Sequence, residues 1–245
     1  MMRWDIINAL IEKNNYKSYL EIGYYKGWSF DQVKCENKTA VDPNPCKTPG
    51  QESTPINCTI MEHPRSGGQS EVLTPINMIV KSTSDDFFKQ ADSWMGVDGA
   101  GGWDIIFIDG LHEAEQVYRD IQNSLKHLSP GGTVVLHDCN PPKYEHTTTG
   151  IDGCWTGDTY KAVIKFIDNY ETKYLLRVVD TDWGVGIIQK GDWGWMDVMQ
   201  PHSHGFERPK GMSDWEFFDK NRKGLIHLIE PIEFYRLYIN SKVGD

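Results

Sequence analysis

At 245 residues, with 39% hydrophobic and 12% aromatic content, the chain can bury one substantial core, and one α/β domain with extensions is the expectation. Its formal net charge of −10 opposes a phosphate backbone and an anionic lipid surface, which sets nucleic acid and membranes aside as partners. The five cysteines (Cys35, Cys46, Cys58, Cys139, Cys154) form no C-x-x-C pair and are odd in number, which disfavours a zinc knuckle or a disulfide framework and suits a reducing compartment.

In chain order, Ile6, Ile7, Leu10 and Ile11 form the apolar stripe of an amphipathic N-terminal helix, unlike the unbroken apolar core of a signal peptide. No apolar run approaches membrane-spanning length, so a cytoplasmic location is expected. Short β-branched runs then alternate with helical patterns, the signature of βαβ units and a mostly parallel sheet. Strands are predicted near Ser18 to Ile22, Thr39 to Val41, Ile76 to Val80, Asp104 to Ile108 and Thr133 to His137. Between the last two, Ala114, Val117, Ile121, Leu125 and Leu128 recur at helical spacing, and the helix is expected to stop at Ser129-Pro130-Gly131-Gly132. Two further strands, Leu175 to Val179 and Val185 to Gln189, are joined by only five residues. A crossover helix does not fit there, so the two should pair antiparallel.

Two stretches stand apart. Asp42 to Pro75 holds six prolines and no apolar periodicity, as expected of a substrate lid or of a floppy insertion. From Gly191 the chain turns aromatic (Trp193, Trp195, Trp215, Phe217, Phe218), with a helix expected from about Pro231. These aromatics either pack onto the core or onto a second copy of the chain, or they wall an acceptor pocket.

The first strand runs into Glu21-Ile22-Gly23-Tyr24-Tyr25-Lys26-Gly27-Trp28-Ser29, where Gly23 allows a sharp turn and Gly27 a close approach of the next helix to a ligand. The fingerprint G-x-G-x-x-G is absent, which weighs against a dinucleotide site. About twenty residues on, Asp42 ends the second strand, where a carboxylate can accept both hydroxyls of a ribose. Ser82-Thr83-Ser84-Asp85-Asp86 follows the third strand, and Ser84 there also reads as a helix N-cap. The fourth strand delivers Asp109-Gly110-Leu111-His112 and the fifth His137-Asp138-Cys139-Asn140, both at the carboxyl ends where an open α/β sheet binds its ligands. Asp109 alone could be a structural acid. Asp109 with Asp138 suits a shared magnesium ion, and the imidazole of His137 would shift preference toward manganese. Histidine is the side chain suited to general-base work near neutral pH, so His112 is the candidate base, although it could instead cap the helix after it.

In this ordered set the chain resembles class I S-adenosylmethionine-dependent methyltransferases, particularly the catechol O-methyltransferase and macrolide-sugar O-methyltransferase types. The resemblance covers roughly Ser18 to Lys190 and implies a methyltransferase domain over residues 1–190, with a long insertion at about 43–75 and an extension over 191–245. It implies an α/β, Rossmann-like fold: a mostly parallel seven-stranded sheet with helices on both faces, ending in an antiparallel hairpin. By this resemblance Glu21, Gly23, Tyr25, Gly27 and Ser29 form the methionine-binding turn of S-adenosylmethionine, Asp42 binds its ribose, and Ser84 and Asp85 lie at its adenine. Asp109 and Asp138 match the family's metal acids, with His137 where the macrolide-sugar type has a further acid. Cys139 replaces the catechol type's asparagine and is a poor magnesium ligand. His112 stands where the family places its catalytic base.

The resemblance implies transfer of a methyl group to a hydroxyl of a small molecule: a sugar, a phenol and a small-metabolite alcohol all fit, the macrolide-sugar type points to a sugar or glycan, and a homo-oligomer is compatible with it. Two alternatives remain. Asn140-Pro141-Pro142 resembles the motif of amino-nitrogen methyltransferases, but it follows the fifth strand and lacks the aromatic that should come next. A non-catalytic cofactor-binding protein would have lost Asp109, His112, His137 and Asp138, and all four are present. Trp155 precedes a helix for which Asp158 is a suitable N-cap, and either closes over the acceptor or packs beneath its own loop.

Overall fold

A computed structural model describes residues 1–45, 58–61, 77–94, 102–148, 154–170, 173–190 and 207–241, with backbone alone over 58–61 and at 94 and 170. The chain divides into two compact units: one comprises Trp4–Leu111 and Arg119–Val134, the other Met1–Arg3, His112–Tyr118 and Val135–Asp245.

The first unit contains most of helix α1 (Arg3–Asn14), strand β1 (Ser18–Ile22), the short α2 (Trp28–Gln32), β2 (Asn37–Asp42), β3 (Cys58–Met61), β4 (Asn77–Lys81), α3 (Ser84–Trp94) and β5 (Trp103–Ile108). It also holds most of α4 (Ala114–Lys126) and the start of β6 (Leu128–Leu136). Its strands lie in the order β3-β4-β2-β1-β5-β6, and β1 pairs in parallel with both β2 and β5, as β4 does with β2 and β3. Ile105, Ile106 and Phe107 of β5 are all fully buried, the near-continuous burial of a parallel strand covered on both faces. Ile6, Ile7 and Leu10, the predicted stripe of α1, are likewise buried.

The second unit continues β6 and adds α5 (Tyr144–Thr148), α6 (Thr159–Tyr170), β7 (Tyr174–Val179), β8 (Val185–Lys190), α7 (Asp214–Leu225), β9 (Leu228–Ile229) and α8 (Pro231–Phe234), which runs on as a π-helical turn to Ile239. The order is β6-β8-β7-β9. β7 and β8 are antiparallel, as their five-residue connection requires. Asp182 and Trp183 stand at φ 46° and 66°, and the Gly184 N–H donates to the Thr181 carbonyl at 2.8 Å. That is the primed turn whose twist matches a hairpin.

The α/β fold with parallel strands and a terminal hairpin agrees with the sequence reading, and four details differ. Nine strands are present among the described residues where seven were predicted. β3 lies inside the proline-rich stretch, the rest of which (46–57 and 62–76) falls outside the described residues, and β9 lies in the aromatic tail. β6 begins at Leu128, five residues before the predicted Thr133, and passes straight through Ser129-Pro130-Gly131-Gly132. Glycine serves close packing there, because a Cβ on Gly132 would stand 2.7 Å from the Asp104 carbonyl oxygen. α4 stops at Lys126, so Leu128 belongs to the strand; His127 ends the helix, its Nδ1 donating to the Asn123 carbonyl at 2.8 Å. Trp193, Trp195, Met196 and Met199 lie outside the described residues.

Among the described residues no helix is long and apolar enough to cross a membrane. Cys35, Cys139 and Cys154 are unbridged.

Candidate active site

In the first unit the predicted cofactor residues lie at the carboxyl ends of β1, β2 and β4, the last being the third of the predicted strands. The turn after β1 alternates left-handed residues, with φ 94° at Gly23, 46° at Tyr25 and 76° at Gly27. Gly23 is demanded by the fold: a Cβ there would lie 2.1 Å from the carbonyl oxygen of Asp109. The Gly23 N–H donates to the Val41 carbonyl and the Asp109 N–H to the Ile22 carbonyl, each at 2.8 Å, which ties the ends of β1, β2 and β5 together. Gly27 differs from expectation in its reason. A Cβ there would strike the ring of Tyr24, so the close approach it permits is to the chain's own side chain.

Asp42 is the organiser of this turn. Its Oδ2 accepts the Tyr25 backbone N–H at 2.8 Å and its Oδ1 accepts the Asn44 N–H at 2.7 Å. A carboxylate has about four acceptor positions, so two remain for a vicinal pair of hydroxyls, and the residue fits a ribose. Glu21 is buried beneath, accepting a short hydrogen bond from the Tyr19 hydroxyl, and Ser29 is buried in α2. Tyr25 extends an exposed ring against Trp28, with Lys26 over both.

At the third strand end the cap is not Ser84. Thr83 does that work: its Oγ1 accepts the Asp86 N–H at 3.1 Å and donates to the Asp86 carboxylate at 2.9 Å, leaving Ser84 as the first residue of α3. Asp85 is half-exposed and paired with Arg119 at 3.5 Å.

In the second unit His112, His137 and Asp138 come together. Nδ1 of His112 lies 2.9 Å from the Trp155 carbonyl oxygen and 3.3 Å from Asp138 Oδ2. A carbonyl can only accept, so Nδ1 carries the proton and Nε2 the lone pair. The indole of Trp155 lies against the His112 ring at 5.4 Å, tilted by 31°. The clasp is completed by the Asp158 N–H, which donates to the His112 carbonyl at 3.0 Å, and by Gly157, where a Cβ would sit 1.9 Å from that carbonyl oxygen.

Asp138 is buried and left-handed (φ 58°), and its Oδ1 lies 3.2 Å from His137 Nδ1. Nε2 of His137 stands 3.2 Å from Arg3 Nη1 and 3.6 Å from Asp182 Oδ2. Burial raises the pKa of Asp182. The hydrogen bond and charge of His137, together with the Arg3 backbone N–H and guanidinium, outweigh it and hold that carboxyl down at about 2. Arg3 and Asp182 escaped the sequence reading, in which Asp182 is only a turn residue.

Within the second unit Asp138 offers a hard oxygen and His137 an imidazole, donors that suit a divalent cation in kind, and the first unit carries a further carboxylate in Asp109. Cys139 drops out, since its thiol is fully buried, donates to the His137 carbonyl and packs against Gly186. Asn140 is also committed elsewhere. Its Nδ2 donates to Asp180 at 3.0 Å, and its Oδ1 accepts Arg222 Nη1 at 2.6 Å.

Residues 20–139 match the model of a family described as a methyltransferase domain. No curated protein sequence matches the chain. Among solved structures, an O-methyltransferase from Bacillus cereus in complex with SAH is similar at 11% identity, over 77% of this chain and 80% of that one, with a TM-score of 0.45. MycE, a methyltransferase from the mycinamycin biosynthetic pathway solved with Mg and SAH, is similar at 18% identity over 74% of this chain and 47% of its own, with a TM-score of 0.42. A spermidine synthase is similar at 12% identity over 92% and 73%, with a TM-score of 0.48.

Proposed function

We propose that this chain is a class I S-adenosylmethionine-dependent methyltransferase, a reading supported by the match of residues 20–139 to a methyltransferase-domain family, and that it methylates a hydroxyl group of a small molecule, a sugar hydroxyl being the favoured acceptor. The observation that carries the hydroxyl reading is the fixed tautomer of His112. With Nδ1 committed to the Trp155 carbonyl, Nε2 is the basic atom. A sulfonium methyl donor is already activated, so the work left to the protein is to align the nucleophile and take its proton.

S-Adenosylmethionine, when bound, supplies a methyl group on a positively charged sulfur. Glu21, Gly23, Tyr25, Gly27 and Ser29 line its methionine end, Asp42 accepts its ribose hydroxyls, and Ser84 and Asp85 flank its adenine. His137 and Asp138 would hold a divalent ion, magnesium or manganese, which would orient the acceptor and acidify its hydroxyl. His112 Nε2 would take the acceptor's hydroxyl proton as that oxygen is methylated. The commitment of Asn140 to Asp180 and Arg222 supports this over amino-nitrogen transfer, because the asparagine that such a motif needs is already spent on both sides of its amide.

Titration calorimetry with S-adenosylmethionine tests the cofactor half, and Asp42→Ala should weaken binding by about 1–3 kcal/mol. Transfer of labelled methyl to a panel of sugars, phenols and amines, with and without chelator, tests the rest. No cofactor heat refutes the whole reading; label on amines alone moves it to nitrogen; full activity in excess chelator removes the ion.

A further inference from the structure

Five side chains of the second unit form one unbroken run: Arg3, Asp182, His137, Asp138 and His112. Arg3 grips Asp182 twice, its backbone N–H donating to Oδ2 at 2.8 Å and its Nη1 donating to Oδ2 at 3.0 Å and Oδ1 at 3.2 Å. The neighbouring Met1 carbonyl accepts the hydroxyl of Thr181, so the first residues are strapped along the hairpin turn. His137 bridges onward, with Nε2 facing Arg3 and Asp182 and Nδ1 facing Asp138 Oδ1. The second oxygen of Asp138 faces His112 Nδ1.

Two features separate this run from ordinary turn chemistry. A hairpin turn of this kind asks its first central residue only to tolerate positive φ, which an exposed asparagine or glycine does well. The Asp182 carboxylate is instead 4% exposed and charge-paired. Asp138 and Asp182 are also both non-glycine residues in the left-handed region, a conformation that persists only where the surroundings over-determine it.

We infer that Asp182, clamped by Arg3, is a positioning residue of the acceptor side of the site: it fixes the His137 imidazole and, through it, the Asp138 carboxylate against which His112 is set. An imidazole with a polar partner facing each nitrogen resists flipping, and a carboxylate with a histidine nitrogen facing each oxygen resists swinging. The inference rests on the reading of His112, His137 and Asp138 as the reactive group.

The experiment uses the full chain as wild type, Asp182→Asn and Arg3→Gln. Asparagine tolerates the left-handed turn and removes only the charge, while Arg3→Gln approaches the same pair from the other end. Long-range ¹H–¹⁵N spectra of the imidazoles, assigned with His112→Gln and His137→Gln, should show the ring nitrogens of both His137 and His112 shifted in the two variants. Both variants should stay folded with a lowered melting temperature, as expected when a buried charge pair loses one partner, and S-adenosylhomocysteine affinity should remain close to wild type. Manganese, added alone and followed by electron paramagnetic resonance, should bind about tenfold or more weakly in Asp182→Asn, the usual cost of losing an outer-shell partner. A His112 signal unmoved in both folded variants overturns the inference. Failure of the wild type to bind manganese, or S-adenosylhomocysteine, refutes the ion or the cofactor reading instead, and the His112 signal then decides the positioning role by itself.

Discussion

Asp158 stands at the start of α6, yet its carboxylate caps α4: Oδ1 accepts the backbone N–H of Ala114 at 2.6 Å. The same residue's N–H donates to the carbonyl of His112 two positions earlier, so one residue satisfies the N-terminus of a helix and clasps the histidine that precedes it. Asp158→Ala should therefore cost about 1 kcal/mol of stability, with a smaller loss for Asp158→Asn, measured by urea denaturation. Equal stability of all three proteins would show that water replaces the cap.

Gly23 and Gly131 share a left-handed backbone, at φ 94° and 79°, and differ in their surroundings. A Cβ at Gly23 meets main chain at 2.1 Å, whereas one at Gly131 meets nothing within 4 Å. Gly131→Ala should carry the conformational penalty alone, about 1–2 kcal/mol. Gly23→Ala should destabilise the protein far more, because Asp109 and its strand must move. Thermal melts of the two variants side by side make the comparison, and equal shifts would contradict it.

Stability should also report on Asp182. Its carboxyl is depressed from 3.8 to about 2 in the folded chain, so the unfolded chain binds the proton first. The stabilisation is present in full above the unfolded value of 3.8 and is lost as pH falls through the folded value of about 2. Acid titrations of denaturation free energy should show that part of the acid limb in the wild type and not in Asp182→Asn.

For His112, replacement by alanine should lower kcat by about 10² to 10⁴, the usual worth of a general base, with cofactor affinity preserved. Partial recovery is expected at higher pH, where the acceptor ionises unaided. Steady-state rates across pH 6 to 9 on an acceptor found in the methyl-transfer panel decide it. A variant within about threefold of wild type throughout that range would make the residue structural.

What the sequence reveals here follows the range of the interactions involved. Val117 and Ile121 announce α4 because helical periodicity is local, and the five residues between β7 and β8 announce a hairpin because chain length alone forbids a crossover. The start of β6 is hidden because Pro130-Gly131-Gly132 reads as a turn until Asp104 is known to lie beside Gly132. Strand β3 is hidden because Cys58–Met61 shows no alternation and pairs with a strand more than fifteen residues away. The strand-end positions of Asp109, His137 and Asp138 were legible because short apolar runs mark where β5 and β6 stop. Arg3 was not, since its partner Asp182 is 179 positions distant and nothing in either neighbourhood points to the other. Asp158 was legible as a cap but not as the cap of α4, because only folding decides which helix its carboxylate meets.

Strand β9 has two residues, and those two close a border. Val178 and Val179 of β7 pair with Leu228 and Ile229, while His227 Nδ1 meets the Leu176 carbonyl oxygen at 3.0 Å. A chain cut at Lys190 would keep every residue of the candidate site, and on sequence grounds it would look like a clean domain. It would also bare the outer hydrogen-bonding edge of a six-residue apolar strand, the kind of surface that recruits strands from other molecules. The tail thus acts as a guard against self-templated aggregation, and a shortened protein that precipitates would be losing its border before losing its chemistry.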